Sequence, residues 1–372
     1  MPISDRFHLA LVTQPKASSG LGQYLAAALQ QAGAEVDMVD CLASKWYKLW
    51  PVLKSVRLNP DAMWKARWEH MLFSSWAWKR NSRRNAALLA RIRKPDTRVM
   101  VVSKQYFPHS VGSESEYDVF IHYTMRLSLA DGVTPWLPPV RDRAAFLRLE
   151  QAFYRGAGTI FVGGDYLKNH LIDEYGVRPD QVVVVGGGVA PFFASNILEA
   201  VPDHFQNNLI FVGWDFGMKG GRDLLHAFSF VRLKRPETTL TIVGPDSSQK
   251  IEQEGVVWKG PVRSKEELLL LYRSSDLFVM PSLRDSFGFV FLEAMTQGVP
   301  CIGTDLNAMP EIIQDGQTGY IVPLRDPGAL AHAILRFYRD PSNRRRMGLA
   351  AQQRVLTRYT WDHVVAAMRP HL

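Results

Sequence analysis

Asp285 and Glu293 stand eight residues apart in the stretch DLFVMPSLRDSFGFVFLEAMTQG, residues 276–298. Asp276 to Met280 is apolar, β-rich and stopped by Pro281, which predicts a short buried strand. Ser282 to Phe287 reads as a polar loop, and Gly288 to Gln297 as a helix closed by Gly298 and Pro300. A loop that leaves the carboxyl end of a strand and enters a helix N-terminus offers unpaired N–H groups and the positive end of the helix dipole to an anion such as phosphate. Ser286, Phe287, Gly288, Phe289 and Val290 form that cradle. A carboxylate on each side suits a ligand with phosphate in the middle and hydroxyls at both ends, because a carboxylate can accept two hydrogen bonds from a vicinal diol. A nucleotide sugar has that layout. The plainer reading of both carboxylates is helix capping.

The elements that must hold these residues follow from the rest of the chain. Its 372 residues exceed what one core usually holds, so two domains are expected. A hydrophobic share of 47% with 22% charged is ordinary for a soluble globular protein. Cys41 and Cys301 lie far apart, which suggests neither a disulfide framework nor a metal knuckle and suits a reducing cytoplasm. The opening MPISDRFHLA lacks the apolar run of a signal peptide, and no stretch is long and apolar enough to span a bilayer. From Leu209 onward, predicted strands alternate with helices, as a parallel sheet requires.

Residues 276–298 resemble the signature of the retaining family 4 glycosyltransferases, glycosyl transferases group 1, in which two glutamates separated by seven residues enclose Phe-Gly. Here it appears as Asp285-x7-Glu293 with Phe287-Gly288 kept. Glu311-Ile312-Ile313, Asp315-Gly316-Gln317-Thr318-Gly319, Pro323-Leu324-Arg325-Asp326-Pro327, Asp340-Pro341, Arg346-Met347-Gly348 and Tyr359-Thr360-Trp361 follow in the family's order. The resemblance covers roughly the last 170 residues well and the first 200 loosely. It implies the GT-B fold, an α/β architecture of two Rossmann-like domains facing across a cleft. Residues 1–188 would be the acceptor-binding domain, 189–207 a linker able to hinge, 208–350 the nucleotide-sugar domain, and 351–372 a C-terminal helix returning to the first domain.

The resemblance also implies a reaction: transfer of a sugar, with retention, from a nucleoside-diphosphate sugar to a saccharide, lipid-linked or other acceptor. Glu293 would bind the ribose hydroxyls and Asp285 would sit at the sugar, one methylene shorter than the usual glutamate. Relatives clamp the diphosphate with an arginine and, five residues on, a lysine. Lys219 is kept, but Trp214 fills the arginine's position, and Asn307-Ala308 replaces a glycine pair. Lys219 acts as a point charge rather than a bidentate fork, and Arg263, after the strand Val256–Gly260, is a candidate helper. No Asp-x-Asp stands in a metal-binding context, so neither metal nor cofactor is expected. A sugar-nucleotide epimerase of the same shape and a non-catalytic binding relative are the competing readings.

The first half is read more loosely. After the strand His8–Thr13, the loop ending Gly20-Leu21-Gly22 imitates a dinucleotide fingerprint, but Leu25 takes the place of the third glycine and the loop is too long for the tight turn. The family reading faces these residues toward the donor phosphates; a plain structural loop is the alternative. His122, near the end of the strand Asp118–Tyr123, stands where many relatives carry a histidine against the donor sugar, or it is a core histidine. Residues 43–94 hold Trp46, Trp50, Trp64, Trp68, Trp76 and Trp78, with thirteen Lys and Arg against Asp61 and Glu69, a net of +11. Cations interleaved with tryptophan suit an anionic membrane surface at the inner face, or an anionic acceptor. Packed tryptophan beneath a solvated basic face is the alternative, and no signature of a nucleic-acid-binding fold accompanies the charge.

Overall fold

The computed structural model describes residues 8–13, 20–40, 75–92, 97–102, 117–130, 138 and 140–372. They divide into two compact units, one of residues 1–185 with 365–372 and one of residues 186–364. Tryptophans 46, 50, 64 and 68, and Cys41, lie outside the described residues.

The first unit is built on a six-stranded parallel sheet in the order β2-β1-β3-β4-β5-β6. Its strands are β1 (His8–Thr13), β2 (Glu35–Asp40), β3 (Arg98–Val102), β4 (Tyr117–Ile121), β5 (Ile160–Val162) and β6 (Val182–Val184). β1 and β4 are buried along their whole length, as strands covered on both faces must be. Helices α1 (Leu21–Gln31), α2 (Ser75–Ile92), α3 (Met125–Ala130), α4 (Arg143–Arg155) and α5 (Asp165–Tyr175) accompany the sheet. On α2, Trp78, Ser82, Asn85 and Leu89 are buried on one helical stripe, while Lys79, Arg80 and Arg83 are exposed. The Trp78 ring meets Phe146 edge-on at 4.9 Å, so this tryptophan is core and offers nothing to a membrane.

The second unit repeats the plan, with six parallel strands in the order β12-β11-β10-β7-β8-β9. They are β7 (Asn208–Val212), β8 (Thr239–Val243), β9 (Val256–Gly260), β10 (Leu277–Val279), β11 (Cys301–Thr304) and β12 (Gly319–Val322). The helices are α6 (Pro191–Ser195), α7 (Gly221–Lys234), α8 (Lys265–Arg273), α9 (Phe289–Thr296), α10 (Met309–Ile312), α11 (Pro327–Arg339) and α12 (Ser342–Arg358), and α13 (Trp361–Met368) begins here and ends among the residues counted with the first unit. The expected α/β architecture of two Rossmann-like sheets is therefore present.

Several details differ from the sequence reading. The stretch expected to be a linker without periodicity contains α6 and is tied to the second unit, with Gln297 Nε2 donating to the Asn196 carbonyl at 3.0 Å and Gln352 Nε2 to Leu198 at 2.7 Å. β12 was not anticipated, and β4 ends at Ile121. The basic residues of α12 do not all lie on its solvated side. Arg344 is 0% exposed, and donates to the carbonyls of Gly298 at 2.6 Å and Ser275 at 3.2 Å, beside buried Asp276. The two carbonyls and the Asp276 carboxylate, 3.7 Å from Arg344 Nε, offset part of the cost of burying the guanidinium charge.

Candidate active site

In the second sheet the chain moves outward in one direction through β7, β8 and β9, and in the other through β10, β11 and β12. The switch point is between β7 and β10, and open parallel sheets bind ligands at the carboxyl ends of the strands there. The loop after β7 carries Lys219 and the loop after β10 carries Asp285. The two loops are joined directly, Leu283 N donating to the Met218 carbonyl at 3.0 Å. Gly220 holds a φ of +73°, and a Cβ there would come within 1.8 Å of the Pro281 carbonyl oxygen, so only glycine lets the loops close to this distance.

Lys219 Nζ lies 2.6 Å from Asp285 Oδ2 and donates to the Arg284 carbonyl at 3.0 Å. Both side chains are largely buried, at 14% and 11% exposure. Asp285 Oδ1 accepts from Phe287 N at 3.3 Å, and Asn307 Nδ2 donates to the Asp285 carbonyl at 2.7 Å. Asn307 was seen in the sequence only as a departure. It takes a φ of +50°, a conformation asparagine tolerates, and uses its amide to brace the loop. Thr304 adds a second brace, its hydroxyl donating to the Ser282 carbonyl at 2.8 Å.

Gly288, at φ +90°, is the N-cap of α9, and no side chain caps the helix. Phe289 and Val290, in the first turn, are half-buried, as is Ser286. Phe287 is 1% exposed and its ring packs 5.0 Å from Phe289, so that side chain is core and only backbone could meet a ligand. Glu293, one turn on, accepts from the Tyr272 hydroxyl at 3.3 Å. It keeps some accessible surface, yet its carboxyl sits deep enough for burial to push its pKa up to about 7. Tyr272, on α8, is fully buried and nothing in the sequence pattern singled it out.

Two residues stand apart. Arg263 is exposed in the connection after β9, two strands from β7 or about 10 Å across the sheet. Among the described residues, no hydrogen bond or ion pair joins it to Lys219 or Asp285. Trp214 is 65% exposed at the start of the loop that carries Lys219.

In the first unit, Gly20 caps α1 at φ +61° and Leu21 is buried. A Cβ on Gly22 would lie 2.3 Å from Thr13 Oγ1, so Gly22 serves the close approach of α1 to β1. His122 follows β4 directly. Its ring is 6% exposed and edge-on to Phe120 at 5.0 Å, and burial pushes its pKa down to about 3, so the imidazole is neutral at ordinary pH.

Residues 206–340 match the family model described as Glycosyl transferases group 1. The chain is 33% identical over 222 residues to a D-inositol 3-phosphate glycosyltransferase of Paenarthrobacter aurescens, covering 54% of each chain. It thus spans about half the length of the curated relative it matches. Sucrose-phosphate synthase from Thermosynechococcus elongatus has the same fold, with a TM-score of 0.70 at 18% identity over 98% of both chains. So has the E. coli trehalose-6-phosphate structure bound with UDP-2-fluoro glucose, at 0.68, 13% identity and 98% of both chains. The chain has the GT-B fold, and the residues that match the group 1 glycosyltransferase model include the Lys219–Asp285 pair.

Proposed function

We propose that the protein is a retaining glycosyltransferase that takes a sugar from a nucleoside-diphosphate sugar. The observation that carries this reading is the Lys219–Asp285 pair at the β7/β10 switch point, beside the uncapped start of α9 and one turn from Glu293. The diphosphate lies on the α9 amides with Lys219 beside it, and these fixed positive groups stabilise the charge that develops as the phosphate leaves. Glu293 accepts hydrogen bonds from the ribose diol, and Asp285 positions the sugar.

The bond from the sugar's anomeric carbon to the phosphate oxygen breaks, and a bond to the acceptor oxygen forms on the same face. The acceptor's proton passes to the departing phosphate oxygen, which leaves as the nucleoside diphosphate. His122, neutral and held in place, orients the sugar. The acceptor is a saccharide or lipid-linked hydroxyl of a glycoconjugate, with the basic face of α2 toward an anionic surface.

The test is a panel of UDP-, GDP- and ADP-sugars, followed by thermal shift and by release of nucleoside diphosphate with EDTA in excess. A bound donor raises stability by mass action, about 2.7 kcal/mol at a hundred times Kd. One sugar nucleotide should raise the melting temperature and be turned over in chelator. Turnover that requires added Mg²⁺ or Mn²⁺ would overturn the metal-independent part. Trp214 in place of an arginine favours a second reading, a binding protein without turnover; binding with no donor hydrolysis would support it.

A further inference from the structure

The segment that follows β4 is gripped by side chains from two helices at almost every position. On α5, Tyr166, His170 and Glu174 stand four residues apart and so share one stripe. The Tyr166 hydroxyl donates to the His122 carbonyl at 2.6 Å, His170 Nε2 lies 2.8 Å from Thr124 Oγ1, and Arg126 Nη1 donates to Glu174 at 3.2 Å. The first spacing matches: four residues of helix rise about 6 Å, and the non-helical chain from His122 to Thr124 can span nearly the same.

Behind this stripe lies Glu150 of α4, which is 0% exposed. Its Oε1 accepts from Met125 N at 2.9 Å and from the Tyr154 hydroxyl at 3.2 Å, and its Oε2 from the Tyr175 hydroxyl at 2.5 Å. The Tyr175 oxygen in turn accepts from Arg126 N at 3.2 Å. A wholly buried carboxylate is costly, and here three donors satisfy it while fixing where a loop turns into a helix. Simple packing would be met at lower cost by an apolar residue of the same volume.

We infer that Glu150 and His170 are positioning residues for the transfer reaction, holding residues 122–126 at the carboxyl end of β4 in the geometry from which His122 and Tyr123 meet substrate. This rests on the function proposed above. Lys219, the α9 amides and Glu293 of that proposal lie in the other unit and are untouched by these changes, so nucleotide binding there separates experimentally from the effect on residues 122–126.

The experiment uses the full chain and the variants Glu150→Gln and His170→Ala. It measures Kd for UDP, GDP and ADP, kcat for nucleoside diphosphate release from the donor panel, and amide hydrogen exchange over residues 122–130. Glu150→Gln keeps shape and volume; His170→Ala removes a half-buried side chain and keeps the inference testable should the first variant misfold. Expected are a tenfold or greater fall in kcat, exchange at least tenfold faster over 122–130 alone, and nucleotide Kd within twofold of wild type. A loosened segment with wild-type kcat in either folded variant overturns the inference, since the grip would then serve stability only. Unchanged exchange in both, or a parallel loss of nucleotide affinity, overturns it equally. Failure of the underlying reading shows differently, as a wild-type protein that neither binds the nucleotides nor releases them from any donor, and it removes the inference too.

Discussion

Lys219 and Asp285 are 66 residues apart in sequence and 2.6 Å apart in space. The lysine expected to meet phosphate and the carboxylate expected to meet sugar therefore form one unit, each setting the position of the other. A ligand that draws Lys219 toward phosphate must compete with Asp285 for it.

Opposite effects follow from cutting each side of this pair. Lys219→Ala should weaken nucleoside diphosphate binding by roughly 1.5–3 kcal/mol, the usual loss for a hydrogen bond to a charged group. Asp285→Ala releases the lysine, so nucleoside diphosphate affinity should be held or raised while turnover is lost. Calorimetric titration with UDP, GDP and ADP, beside turnover, distinguishes them; equal losses of affinity in both variants would refute the coupling.

Glu293 gives the site a pH dependence. Burial pushes its pKa up to about 7, well above the unfolded value near 4.3. The folded state thus holds a proton that the unfolded state releases between those values. The resulting stability is full below pH 4.3 and lost as pH rises through 7. Glu150, also pushed up to about 7 by burial, acts in the same direction. Glu293→Gln should therefore reduce, without abolishing, the fall in melting temperature from pH 5.5 to 8. A ribose diol donates to the ionised carboxylate, so wild-type donor affinity should rise over the same interval and the variant's should be lower and flat. Parallel pH profiles of wild type and variant would contradict the assignment.

Trp214 leaves the diphosphate without a guanidinium fork. Trp214→Arg should tighten UDP, GDP or ADP binding about tenfold at low salt, with the gain shrinking at high salt as charge is screened. The indole is 65% exposed, so the exchange should leave the melting temperature nearly unchanged. No gain in affinity at low salt would show that the loop does not aim this position at phosphate.

Lys79, Arg80 and Arg83 are exposed on α2, opposite the stripe that buries Trp78. Each basic residue close to an anionic bilayer contributes about 1 kcal/mol, and the attraction fades within a Debye length. Replacing all three by Glu should abolish sedimentation with anionic liposomes at low salt and preserve the fold. Wild-type protein that stays in the supernatant at low salt removes the membrane reading; reversals that instead raise the acceptor KM place the face at an anionic acceptor.

Local pattern by itself determined much of this protein. The strand–loop–helix unit that presents Asp285, Gly288 and Glu293 was legible because an apolar run, a polar loop and a Gly-Pro stop lie within one short window. The same holds for most strands of both parallel sheets, where continuous burial writes a continuous apolar run. What the tertiary structure decided is partnership across long separations, which no period encodes. It placed Lys219 against Asp285, Asn307 beneath the Asp285 loop, and Tyr272 on Glu293. It made Phe287 and Trp78 core, and it buried Arg344, because a basic residue in a helix shows its burial only when the facing carbonyls and Asp276 are known. Glu150 carries little local signal, since only Tyr154 is a neighbour on its own helix, while Met125 N and the Tyr175 hydroxyl are brought to it by the packing of α4 against α3 and α5.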